Sequence, residues 1–62
     1  MTPSQIKKLR QEMGISLEKF ASLIGVSWIT AQRWEKGKHK PSQLAEKRLI
    51  DLEDFEINRR IS

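Results

Sequence analysis

An all-α fold, a bundle of four or five short helices, is what this sequence predicts, and three observations carry it. A hydroxyl residue (Thr2, Ser16, Ser27, Ser42) repeatedly stands just ahead of a segment whose apolar residues recur at helical spacing. The first three of these segments close on a glycine, at Gly14, Gly25 and Gly37. The chain has 62 residues and no cysteine, so no disulfide or thiolate-bound metal staples it, and helix packing or association with a second copy must hold it together.

The first helix is expected over residues 3–13. Thr2 supplies the cap, Pro3 stands where its missing N–H costs nothing, and Gln5 can reach back to the cap amide. Ile6, Leu9 and Met13 form a narrow apolar stripe at i, i+3, i+7, with Lys7, Lys8, Gln11 and Glu12 around it. Ser16 caps a second helix, with Glu18 favourably placed against the positive end of the helix dipole. Leu17, Phe20, Ala21 and Ile24 give that helix one strongly apolar face, and the small Ala21 suits a close crossing over the next helix. Gly25 then permits a tight turn with positive φ, and Val26 tucks the turn into the core.

Ser27 caps a third helix that runs to about residue 36 and stops at Gly37. Its inward face is Ala31 with part of Trp34, which is little burial. Trp28, Ile29, Gln32 and Arg33 are left outward, as on a helix arranged for presentation. The loop KGKHKP is short and basic; Pro41 bars helix at the residue before it, and Ser42 can cap a fourth helix. Ala45, Leu49 and Leu52, flanked by Leu44, are expected to close the core over the first two helices. Beyond Asp54 the pattern weakens: residues 55–57 alternate like a strand as much as they resemble a helix, and the sequence does not choose between them. The chain is read as one domain over residues 1–62, with a helical core at 1–54 and a tail at 55–62 available for dimerisation.

The formal net charge of +4 favours a polyanionic partner. Residues 1–37 hold six basic against three acidic side chains, while residues 38–62 hold six against five, so the excess lies toward the N-terminal part. Lys38, His39 and Lys40 cluster directly after the third helix, and acids gather between Asp51 and Glu56. The apolar runs are far short of a membrane span. An enzyme is not expected either. His39, the single histidine, lies in a basic loop with no nucleophile or orienting carboxylate near it in sequence, and neither metal-ligand spacing nor a phosphate-cradling glycine loop is present. No cofactor or metal is expected.

The segments IKKLR, GIS, FASLIGVS, RWEKG and KHKP, with their capping residues, Ala21, Gly25, Glu35 and Gly37 at fixed offsets, resemble the helix-turn-helix family of phage repressors and Cro proteins, the XRE family. The resemblance covers about two-thirds of the chain, residues 6–41. It implies that the third helix enters the major groove of double-stranded DNA while the second lies across it, its N-terminus near a phosphate. The protein would then be a cytoplasmic, prokaryotic or phage-encoded transcriptional regulator, a repressor in type. Base edges would be read by Trp28, Ile29, Gln32 and Arg33. Arg33 can bond bidentately to guanine, Gln32 can pair with adenine or reach a phosphate, and Ile29 can touch a thymine methyl group. Trp28 has two readings, a shield over the turn at Val26 or a contact to sugar edges and a thymine methyl. Phosphates would be held by the backbone at Ser16 and Leu17 and by Lys36, Lys38 and Lys40. The chain departs from the family at Leu17, where a glutamine commonly adds a side-chain phosphate contact that leucine cannot make. The resemblance also implies an ion pair between Arg10 and Glu35.

Reading an operator this way calls for two copies, so a homodimer on a palindrome is expected, joined through the fourth helix and the tail. The alternative function is an antitoxin-like or other protein-interaction module, in which Phe55, Ile57 and Ile61 dock a partner chain. Helix 3 separates the readings: Arg33 and the flanking lysines suit DNA, whereas a partner surface gains more from an apolar face.

Overall fold

A computed structural model of the protein describes residues 1–61, with side chains as far as Arg60. The side chain of Ile61, one of the three apolar tail positions, and Ser62 lie outside the described residues. Four helices follow one another: α1 (Pro3–Met13), α2 (Leu17–Ile24), α3 (Trp28–Glu35) and α4 (Gln43–Ile61). The described residues contain no strand, so the fold is all-α, as the capping pattern predicts.

Each helix starts where a hydroxyl can satisfy an amide that the helix itself leaves unpaired. Thr2 and Gln5 form a reciprocal box, the Gln5 amide donating to Thr2 Oγ1 at 3.2 Å and the Thr2 amide to Gln5 Oε1 at 2.8 Å. Ser16 accepts from the Lys19 amide at 3.1 Å, Ser27 from the Thr30 amide at 3.3 Å and Ser42 from the Ala45 amide at 3.2 Å. The caps thus fix where each element begins, and the apolar spacing then decides which face turns inward.

The core is assembled from Ile6 and Leu9 of α1, Phe20, Ala21 and Ile24 of α2, Ala31 and Trp34 of α3, and Ala45 and Leu49 of α4. Helix α2 packs most extensively on α3, with Ala21 and Ala31 both buried. Two expectations are corrected. Trp34 is buried entire, at 3% exposure, rather than in part. Leu44 does not flank the core but is exposed, because the inward line of α4 is Ala45, Leu49, Leu52 and Glu56 and each helical residue turns the side chain by about 100°.

Residues 55–61 continue α4 as helix. The ambiguity of this stretch has a physical source. Its apolar residues Phe55 and Ile57 point to solvent, while its inward position is a carboxylate, Glu56, at 3% exposure. Arg59 grips that carboxylate with two bonds, Nη2 to Oε1 at 2.9 Å and Nε to Oε2 at 3.2 Å. Arg60 adds a contact from Nε at 3.5 Å and reaches Glu12 of α1 at 3.3 Å, and Glu12 in turn lies 4.0 Å from Lys8. The end of α4 is therefore tied to α1 through charges.

The hydrogen bond from Arg59 holds the Glu56 carboxyl below the usual carboxylate range, against the opposing effect of burial. A group whose pKa is depressed on folding stabilises the fold above its unfolded value, about 4.3 for glutamate, and loses that contribution as pH falls through the folded value. Thermal unfolding of the wild type and of Glu56→Gln between about pH 6 and pH 3 should show a wild-type advantage at the upper end that disappears toward the lower. A pH-independent difference would contradict the assignment.

Candidate nucleic-acid interface

The angle between α2 and α3 is set by residues 25–27. Gly25 adopts φ 93°, and the amides of Gly25 and Val26 both donate to the Ala21 carbonyl, at 2.8 and 3.0 Å, closing α2. A side chain at this position would meet two obstacles, the left-handed backbone itself and Arg48, whose Nη1 would lie 2.7 Å from an added Cβ. Arg48 is there because it donates from Nη1 to the Ile24 carbonyl at 2.9 Å, so α4 places a cation on the negative end of α2. Sequence reasoning missed Arg48, since its helical spacing alone marks it as one more surface cation.

Beyond the turn, α3 is anchored by its buried Ala31 and Trp34 and by one ion pair. Arg10 of α1 meets Glu35 fork to fork, Nε to Oε2 at 2.8 Å and Nη2 to Oε1 at 3.1 Å. The side chains are 20% and 10% exposed. The hydrogen bond to Glu35 raises the Arg10 pKa still further above its already high value, so the guanidinium stays charged. The end of α3 is closed by a left-handed Gly37 at φ 75° and by the Lys38 amide, which donates to the Arg33 carbonyl at 2.9 Å. That bond pins Lys38 of the basic loop directly against α3.

What this leaves outward is a narrow set. Of the eight residues of α3, Trp28, Ile29 and Arg33 are exposed, the first two at 47% and 44%. Ile29, Arg33 and the exposed Lys36 follow i, i+4, i+7, a single line roughly opposite Ala31. Trp28 is not part of the core cluster, whereas Gln32 is half-buried on the shoulder of the helix. The Ser27 and Thr30 hydroxyls lie 3.0 Å apart and are engaged with each other. Lys36, Lys38, His39 and Lys40 are all exposed, and Arg33 shares a shallow groove with His39, Lys40 and Ser42. At the other end, the Ser16 hydroxyl is committed to its cap and the half-buried Leu17 side chain packs against the core. A second cleft of about 760 Å³, lined by Pro3, Ile6, Trp34 and Pro41, shares His39 and Lys40 with the shallow groove and holds none of the outward residues of α3. The described residues contain no cluster of three or more side chains able to hold a metal ion, and no helix among them is long and apolar enough to cross a membrane.

Two helices joined by a three-residue turn, the second braced along one edge and free along the other with lysines at its end, form a helix-turn-helix of the DNA-binding kind. The family model described as helix-turn-helix matches residues 6–52. The chain belongs to that family, the Cro/C1-type or XRE group of DNA-binding regulators. Comparison with curated proteins and with solved structures returned no match.

Removing one partner of the Arg10–Glu35 pair strands a largely desolvated charge, which costs roughly 3–5 kcal/mol for a fully buried pair and somewhat less here. Glu12, in an exposed network, is worth about 1 kcal/mol or less. Glu35→Ala should therefore lower the melting temperature clearly more than Glu12→Ala. Equal melting temperatures for the two variants would refute the bracing role.

Proposed function

We propose that the protein is a sequence-specific transcriptional regulator, a repressor, that lays α3 in the major groove of double-stranded DNA and acts by occupying its operator. The observation that carries this reading is the division of α3: Ala31 and Trp34 bury one edge, and Ile29, Arg33 and Lys36 line the other. A major groove about 12 Å wide accepts one helix. With α3 in it, Arg33 reads guanine through O6 and N7, Ile29 and Trp28 meet base edges, and Gln32 contributes from the shoulder, to a base or to a phosphate. Lys36, Lys38 and Lys40 hold the phosphate backbone, which fixes position without reading sequence. The free amides at the start of α2, around Ser16 and Leu17, add a phosphate contact of the backbone type.

One such module buries roughly 600–1,000 Å² on DNA and reads few base pairs, which is too little to single out one operator in a genome. A homodimer on a palindrome with half-sites about 10 base pairs apart supplies the rest. Leu44, Ile50, Phe55 and Ile57 are exposed along α4, and these apolar side chains are where two copies would meet. The same side chains favour a second reading, in which a different protein chain docks on α4 as on an antitoxin.

Selection from a random duplex pool at fixed salt tests the proposal, with sedimentation of the protein on the sequence selected. The expected result is a palindrome bound by two chains. Arg33→Ala should blur one position of the half-site, while Lys38→Ala should weaken binding to all sequences and lower the salt slope by about 1. Equal binding across the pool would overturn the sequence-specific reading, and a single chain both free and on DNA would overturn the homodimer.

A further inference from the structure

We infer that the first turn of α3 reads the C5-methyl groups of pyrimidines rather than hydrogen-bonding edges, so that the protein treats 5-methylcytosine as it treats thymine. The inference rests on the major-groove reading above and specifies its chemistry.

Three observations lead there. The side chains that α3 exposes are Trp28, Ile29 and Arg33, and the two at its N-terminal turn, the end that reaches deepest toward base edges, are large and apolar. The hydroxyls of that turn are engaged with each other: the Ser27 hydroxyl accepts from the Thr30 amide and also lies 3.0 Å from Thr30 Oγ1, and Thr30 is half-buried. Exposed cations follow the apolar pair, at Arg33 on the same helix and at Lys36, Lys38 and Lys40 beyond it. An apolar surface continued by cations suits a polyanion that carries apolar points, and the major groove of DNA offers such points as pyrimidine methyl groups.

The thymine C5-methyl is the apolar feature of base edges in the major groove. Methylation of cytosine places the same group at the same position. Ile29, whose side chain carries neither donor nor acceptor, registers the methyl and not whether the neighbouring atom is the thymine O4 or the cytosine amino group, and the apolar ring of Trp28 beside it widens that contact. Arg33 follows Ile29 by four residues on the same line, so the methyl and the guanine it reads fall within one or two base steps of each other. A thymine near a guanine and a methylated cytosine near a guanine would then look alike to this helix, which makes operator occupancy responsive to cytosine methylation.

The test uses the half-site found by selection. Each thymine is replaced in turn so that the position carries T·A, U·A, C·G or 5-methyl-C·G, and affinity is measured for each duplex. At one or two positions the two methylated pairs should bind alike, and the two unmethylated pairs should each bind about fourfold more weakly per methyl lost, the effect of one buried methyl group. Ile29→Ala, at an exposed position, should keep its helical circular dichroism and its preference at the guanine read by Arg33 while losing much of the methyl dependence. Affinity that follows the base pair and ignores the methyl would overturn the inference and leave the regulator reading intact, as would a selected half-site without thymine. A pool with no preferred sequence would remove the regulator reading and this inference with it.

Discussion

Everything in this fold answers to one constraint: α3 must be held by an edge narrow enough to leave its opposite side free. An isolated helix of eight residues does not persist in water. Its inward residues are Ala31 and Trp34, and the two are unequal. A buried indole removes about 150–250 Å² from water, roughly 4–6 kcal/mol of gross transfer free energy, whereas an alanine methyl supplies a small fraction of that. Trp34 is therefore the hold, and the surrounding core of Ile6, Phe20 and Leu49 is the socket that gives its burial value.

Charges do the remaining positioning. Arg10 and Glu35 join α1 to the last turn of α3 through two parallel hydrogen bonds that resist rotation of the helix about its long axis. Arg48 closes α2 from α4 and fills the space beside Gly25, so that the turn is defined from outside as well as by its backbone. Glu56, Arg59, Arg60 and Glu12 fasten the end of α4 to α1. None of these side chains lies on the outward line of α3. The framework and the face use different residues, which is why Ile29 or Arg33 can change without disturbing the body.

Much of this was legible in the chain because it is local. Thr2, Ser16, Ser27 and Ser42 announce four helix starts, Gly14, Gly25 and Gly37 announce three ends, and the spacing from Leu17 to Ile24 identifies the buried face of α2. The outward position of Ile29 and Arg33 follows from the placement of Ala31, whereas that of Trp28, three residues before Ala31, does not. What the sequence hides is what depends on partners far away in the chain. Glu56 looks like a surface acid until the end of α4 is seen tied to α1 through Arg60 and Glu12, and that disguise is why the last stretch of α4 resisted assignment. Arg48 shows its role only once α4 lies beside the end of α2. The engagement of Ser27 with Thr30 is local and could have been suspected from their spacing of three.

The central claim is that the free side of α3 faces the floor of the major groove, with Arg33 on a guanine. Guanine N7 lies in that groove, so chemical methylation there before binding probes the claim most directly. The account predicts that methylating one guanine in each half-site blocks complex formation with the wild type and has little further effect on the weaker complex formed by Arg33→Ala. Interference confined to adenine N3 in the minor groove, or guanine interference of equal size in both proteins, would contradict it.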